Sequence, residues 1–244
     1  MKDKPIIFSA PMIRALLDGR KTQTRRILKD VPEAPAMDNI AWPDKKLHPA
    51  PYLDAYCGGP RTSENPRGMT ENWAYWTRDD RPGPLFKVGY VPGDRLWVRE
   101  KFAVSGIGWG KKPSKAIGGK VHFAADADHG WQSYWGNWNP SIHMPRWASR
   151  LTLVVTDVRV QRVQDITNAD AVAEGIERLH DPNGFRDYLN DDPSARVAMN
   201  PSFRSLWDSI NAKRGFGWDA NPWVVALTFD VHKCNIDQLE IANA

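Results

Sequence analysis

The sequence predicts an α+β fold: a small β-barrel or sheet with helices on its rim, carrying two large loop-rich insertions. Three observations predict it. Short apolar or alternating stretches recur at 5–8, 95–100, 149–163 and 223–231. Helical spacing is confined to a few brief segments beside them. Two stretches, about 30–92 and 104–147, are rich in proline, glycine and tryptophan and lose that periodicity. We read residues 1–244 as a single domain with these two insertions.

Taken in order, Pro5-Ile6-Ile7-Phe8 is a short buried strand. Ser9 is placed to cap a helix, with Pro11 in its first turn, where a missing N–H costs nothing. Met12, Ile13, Ala15, Leu16 and Leu17 supply that helix's apolar face, and Gly19 stands where a left-handed terminating residue belongs. An extended stretch after it sends Thr22, Thr24 and Arg26 to one side. The first insertion is expected to lie over the surface, held by Trp42, Tyr52, Trp73, Tyr75 and Trp76.

Pro92-Gly93-Asp94 is a turn before an alternating strand at 95–100. The second insertion contains a strand at 120–124. The longest strand runs over 149–163, and the slip in its apolar spacing between Val155 and Val158 predicts a bulge near Asp157. Thr167-Asn168-Ala169-Asp170 is a capping box for a short helix ending near Gly175. Phe203, Leu206, Trp207 and Ile210 share one face of a later helix, and 223–231 is the closing strand.

Composition sets the class. Two cysteines, Cys57 and Cys234, make no disulfide framework and suit a reducing compartment. No apolar run approaches the ~20 residues that cross a bilayer, and no signal-peptide core follows Met1, so a cytoplasmic protein without a membrane partner is expected. The net charge of +4 is unevenly spread. Residues 1–29 hold eight basic and two acidic side chains, and residues 163–244 hold seven basic and thirteen acidic. Such polarity can present a positive face to a polyanion, or it can cancel locally on a solvated surface. The twelve tryptophans, Trp131, Trp135 and Trp138 among them, can likewise stack on bases or pin loops to a core.

The densest chemical signal is Gly19-Arg20-Lys21-Thr22-Gln23-Thr24-Arg25-Arg26. It is no phosphate loop, because it has one glycine and follows its helix instead of preceding it. Cations this crowded repel unless carboxylates or an anion offset them, and they depress the lysine pKa from about 10.4 toward usefulness as a base. Spacing alone leaves that reading beside a solvated basic turn.

Gly19-x-Lys21-x-x-x-x-Arg26, together with Pro92-Gly93-Asp94-Arg95-Leu96-Trp97-Val98, Asp165-Ile166-Thr167 and Asp170-Ala171-Val172-Ala173-Glu174-Gly175 in that order, resembles the ASCH superfamily. These are relatives of the PUA RNA-binding fold, and the larger form carried by tailed phages and prophages is the most similar. The resemblance covers most of the chain outside the two insertions. It implies a PUA-like barrel and, through the full Gly-Arg-Lys-Thr-x-Thr-x-Arg run, kinship with bacterial amidohydrolases that deacetylate 4-acetylcytidine. It implies catalytic roles for Lys21 and Thr24, and for Glu174 in the short helix after the central strand, with Glu177 nearby. Gly19, Arg20, Arg25 and Arg26 would border the substrate. By position alone, His143, Arg146 and Trp147, just before the longest strand, can present to a base at a barrel mouth; core packing for Trp147 and a hydrogen-bonded His143 are the structural alternative. The implied partner is a nucleoside or nucleic acid, RNA ahead of DNA, in the host cytoplasm if the protein is phage-encoded, with no cofactor. A non-catalytic modified-base binding module, a metal-independent ribonuclease and a phage regulatory protein that binds a host partner are the alternatives.

His48, His122, His129, His143, His180 and His232 show no zinc-like spacing with each other or with the cysteines, so no metal is expected. Asp126-Ala127-Asp128-His129 and Asp79-Asp80-Arg81 read as polar turns.

Overall fold

The computed structural model describes residues 2–33, 52–76, 82–105, 120–127, 138–179, 184–190 and 196–239. Trp42, His48, Asp79 to Arg81, Asp128, His129, Trp131, Trp135 and His180 lie outside the described residues. The centre is a five-stranded sheet built from β1 (Asp3–Ile7), β2 (Gln23–Ile27), β6 (Arg95–Arg99), β9 (Thr152–Arg162) and β12 (Trp223–His232), ordered β1-β6-β9-β12-β2. Only β1 and β6 are parallel. The long β9–β12 ladder is its spine. Its register skips Thr156, so that Thr228 faces Asp157 and Phe229 faces Val155, which is the bulge the apolar slip predicts.

Alternation explains the burial. Leu153, Val155 and Val158 of β9 and Val225, Leu227 and Phe229 of β12 are all at most 2% exposed. They pack with Ile6, Phe8, Leu96 and Val98, and with Ile13 and Leu16 from α1 (Ala10–Leu17). Ser9 occupies the N-cap position of α1 but makes no side-chain capping bond, and Pro11 falls in the first turn as expected.

The ladder does not close into a barrel among the described residues; what is present is a sheet with helices beside it. The reason lies in β1. The Phe8 N–H donates to Arg99 O at 3.1 Å, so by alternation position 5 faces the free edge, and Pro5 has no N–H to offer there. The β1 and β2 edges still approach each other. Helix α1 links them, and Arg26 Nη2 donates to Ile7 O at 2.7 Å across the seam.

The first insertion is more ordered than expected. It forms an antiparallel sheet of β3 (Tyr52–Ala55), β4 (Asn72–Trp76) and β5 (Phe86–Lys87). Ala55, Trp73, Phe86, Met69 and Val88 extend the main core instead of resting on the surface. The Pro92-Gly93-Asp94 turn forms, with Gly93 at φ 87°. Buried Asp94 accepts from Lys2 N, Val91 N and Lys4 Nζ. In the second insertion β7 (Phe102–Ser105) pairs with β8 (Lys120–Phe123), over a small cluster of Phe102, Met144 and Ala148.

A second core sits beneath α2 (Asn168–Ala173), α3 (Met199–Asn211) and the small hairpin of β10 (Phe185–Arg186) and β11 (Arg196–Val197). The Thr167–Asp170 capping box forms in both directions. Phe203 and Trp207 are buried on α3, but Ile210 is 44% exposed and borders a cleft, not the core. No described helix is long and apolar enough to cross a membrane.

Candidate functional site

The chain reaches the site through one sharp reversal. Gly19 takes φ 73°, a left-handed conformation natural to glycine, and the N–H groups of Arg20 and Lys21 both return to Ala15 O, at 2.9 and 3.0 Å. Thr22 is then pinned on both sides: its N–H donates to Ala173 O at 2.8 Å, and its carbonyl accepts from Phe229 N at 3.0 Å. Lys21, between these anchors, is driven fully inside, with 0% exposure.

A buried ammonium needs partners, and Glu174 supplies them. Lys21 Nζ donates to Glu174 Oε2 and to Glu174 O, both at 2.8 Å. The other carboxylate oxygen, Oε1, accepts from Arg25 Nη1 at 3.0 Å. Glu174 itself is 5% exposed and lies at the C-cap of α2. The approach is set by Gly175, at φ 84°, where a side chain would meet Lys21 Cβ at 2.9 Å and Ala15 Cβ at 3.0 Å. Glycine therefore lets α2 press its end onto the Lys21 backbone.

The ionic chain continues. Arg25 Nη2 lies 3.2 Å from Asp170 Oδ2, and Asp170 Oδ1 accepts from Arg159 at 3.0 Å. Burial pushes the Asp170 carboxyl up, but hydrogen bonds from Arg159 and Gln23 and the charge of Arg25 outweigh it and hold its pKa at about 2. Phe203 lies under the Arg25 guanidinium at 5.7 Å. Phe8 carries Lys21 Nζ at 5.7 Å and the Arg26 guanidinium at 5.0 Å over its ring.

Burial lowers the pKa of Lys21; Glu174 works against this, and Arg26 and Arg25 push the same way as burial. The net direction is downward, which is the direction a lysine needs to act as a base near neutrality.

Two adjoining clefts open from this cluster and share Met12, Glu174, Leu206 and Ile210. One, of about 230 Å³, is bordered by Thr24, Arg25, Arg26, Lys29, Trp207 and Arg214. The other, of about 240 Å³, is bordered by Arg20, Glu177, Arg186 and Tyr188. Thr24 faces the first and makes no side-chain hydrogen bond among the described residues. A larger cleft, about 510 Å³, lies elsewhere against Asp94, Glu71 and Lys2; Lys2 and Glu71 pair with each other, and Asp94 pairs with Lys4.

The structure thus brings together Lys21, Thr24, Arg25, Arg26 and Glu174, with Gly19 shaping the turn. The expected shared side of Thr22, Thr24 and Arg26 is not the one that meets Glu174. Alternation sends Lys21 and Arg25 there instead. Arg20 is at the rim, paired with Asp18 at 2.9 Å. Glu177 is exposed and paired with Arg186 at 3.0 Å.

His143, Arg146 and Trp147 do not join this cluster. His143 is exposed. Arg146 is held at the start of β1 by Asp3 and by Asp237, both at 2.6 Å, whereas Phe8 beside Lys21 follows the far end of that strand. Trp147 packs on the Phe102–Met144 cluster. In the sequence Phe8 reads as strand core, Phe203 as helix core, Asp170 as a cap and a motif residue and Gln23 as part of the basic run, and none of these, nor Lys29 or Arg214, is given a role at the site there. Gly175, directly after Glu174, was the available signal that a close approach happens there. Among the described residues no group of three or more His, Cys, Asp or Glu side chains is placed to hold a metal ion. No family model, curated protein or solved structure matches the chain.

Proposed function

We propose that the protein is an ASCH-type, PUA-like enzyme that hydrolyses an amide on a modified base, with a 4-acetylcytidine-type substrate. On this reading the curled sheet is the barrel, its seam spanned by α1 and Arg26. The observation that carries the proposal is Lys21 Nζ at 2.8 Å from Glu174 Oε2, with Glu174 bordering a cleft that Thr24 also lines. These three are the residues that the ASCH resemblance marks as catalytic, and they come from α1's turn, β2 and the end of α2.

An amide is a poor electrophile, so the nucleophile must be activated and the developing oxyanion held. Lys21, in its neutral form, takes a proton from Thr24 or from water as that oxygen attacks the acetyl carbon. Arg26 faces the oxyanion. When the C–N bond breaks, the proton passes to the leaving amino nitrogen. Acetate leaves directly if water attacked; if Thr24 attacked, a water deprotonated by Lys21 then hydrolyses the acetyl-Thr24 ester. By either route water and the acetylated base give the free base and acetate. Glu174 holds the lysine and sets its protonation. A non-catalytic module that grips a modified base is the second reading; the complete burial of Lys21 and its two Glu174 acceptors favour it.

Incubation with 4-acetylcytidine, followed by chromatography for cytidine, tests the proposal. Turnover is expected, and it should vanish in Lys21→Ala and in Glu174→Gln. Retained turnover in either variant sinks the mechanism. No turnover with salt-sensitive RNA binding turns the reading to the module, and chelator-resistant RNA cleavage turns it to a ribonuclease.

A further inference from the structure

The two clefts that share Glu174 differ in how their charges are met. In the Tyr188 cleft each cation has a carboxylate: Arg20 pairs with Asp18 at 2.9 Å and Arg186 with Glu177 at 3.0 Å. In the Thr24 cleft Arg26, Lys29 and Arg214 have no carboxylate partner among the described residues. Arg26 is bonded to a backbone carbonyl and Arg214 to the amide of Asn211 at 3.3 Å. Below them Arg25, with 1% of its side chain exposed, keeps Nε without a hydrogen bond, while its Nη2 is met by the ion pair with Asp170 Oδ2 at 3.2 Å. Like charges gathered in a cleft repel unless an anion enters, and guanidinium groups suit phosphate oxygens.

We propose that the outer part of the Thr24 cleft, at Lys29 and Arg214, is a phosphate subsite. The preferred substrate is then a phosphorylated nucleotide and not a free nucleoside. This rests on the reading above only for the choice of base. Size agrees: either cleft alone, at about 230 or 240 Å³, is under the roughly 300 Å³ of a usual small-molecule site, and the joined pair reaches that range. The phosphate belongs to a mononucleotide or to a polynucleotide backbone, and the substrates tested separate these.

The kinetic experiment compares kcat/KM for 4-acetylcytidine, its 5′-monophosphate and a short RNA containing 4-acetylcytidine. The monophosphate should be preferred over the nucleoside by at least about tenfold, the scale of one charge-assisted hydrogen bond. That preference should collapse in Lys29→Ala/Arg214→Ala and persist in Lys213→Ala, which removes a neighbouring exposed cation outside the cleft. A further gain for the RNA identifies a polymer backbone as the source, and none identifies the mononucleotide.

Binding of cytidine 5′-monophosphate against cytidine, measured by calorimetry, does not depend on turnover. Tighter binding of the monophosphate, lost in the double variant, upholds the subsite even if nothing is hydrolysed. Equal binding of the two, no binding of either, or a preference that survives the double variant overturns the subsite. Hydrolysis of the nucleoside would still leave the amidohydrolase proposal standing.

Discussion

Replacing Glu174 by glutamine removes one negative charge and almost no volume, yet it strikes where two cations meet out of water. Lys21 and Arg25, 0% and 1% exposed at the side chain, both donate to this carboxylate, which is 5% exposed. Removing one member of a buried ion pair costs about 3–5 kcal/mol, because the survivor is left uncompensated. The two survivors here respond differently. Arg25 cannot shed its proton but keeps Asp170 at 3.2 Å. Lys21 can shed its proton, which caps its share of the penalty.

We therefore expect Glu174→Gln to lower unfolding stability by about 3 kcal/mol at pH 7, at the low end of that range. The sign of the pH effect follows. Burial already places the folded pKa of Lys21 below 10.5, and loss of Glu174 lowers it further. Between the folded pKa and 10.5 the unfolded chain binds more protons than the folded one, so stability rises with pH there. Urea denaturation followed by tryptophan fluorescence, at about pH 7 and pH 9.5, should show part of the deficit recovered at the higher pH. In Lys21→Met/Glu174→Gln the loss should fall short of the summed single losses by about 2 kcal/mol, as expected for groups in direct contact. A deficit under about 1 kcal/mol, or one equal at both pH values, refutes the claim that Glu174 neutralises a charged lysine.

Two further outcomes are expected. Gly175→Ala introduces a side chain into a φ of 84° and to within 2.9 Å of Lys21 Cβ, so it should cost about 1–3 kcal/mol in thermal or urea unfolding and weaken any turnover by displacing Glu174; wild-type behaviour in both would show that the close approach is dispensable. Asp170, held at about 2 against 3.8, contributes about 2 kcal/mol that is present above its unfolded pKa and lost as pH falls toward 2. Asp170→Asn should flatten the stability–pH curve below pH 4, and an unchanged curve would contradict this assignment.

The main strands were legible because each buries alternate residues against one core. The bulge could be located because β9's apolar phase slips between Val155 and Val158 and resumes. The short helix and its ending were legible because Thr167, Asp170 and Gly175 act locally. The three-stranded sheet of the first insertion was missed, since β3 and β4 have four and five residues and β5 two, too few for alternation to declare itself. At the site, the run from Gly19 to Arg26 announced a concentration of charge, but its compensation lies 149 and 153 residues away. Spacing carries no information on that meeting, and only the resemblance pointed to Glu174. Nor did it separate the paired cations from Lys29 and Arg214, whose significance depends on which carboxylates fold beside them.

The seam between β1 and β2 also fixes when the site can come into being. The two strands are near neighbours in sequence yet occupy opposite edges of the sheet, and β2 finds its only ladder partner among the described residues in β12, with Thr24 set against Leu227. During synthesis the basic segment leaves the ribosome well ahead of β12 and must wait for that strand before β2 has its ladder partner. Such long-range closure is slow. The Lys21 cluster is therefore a late product of folding, and a nascent or truncated chain without β12 carries an exposed cationic arm in place of a site.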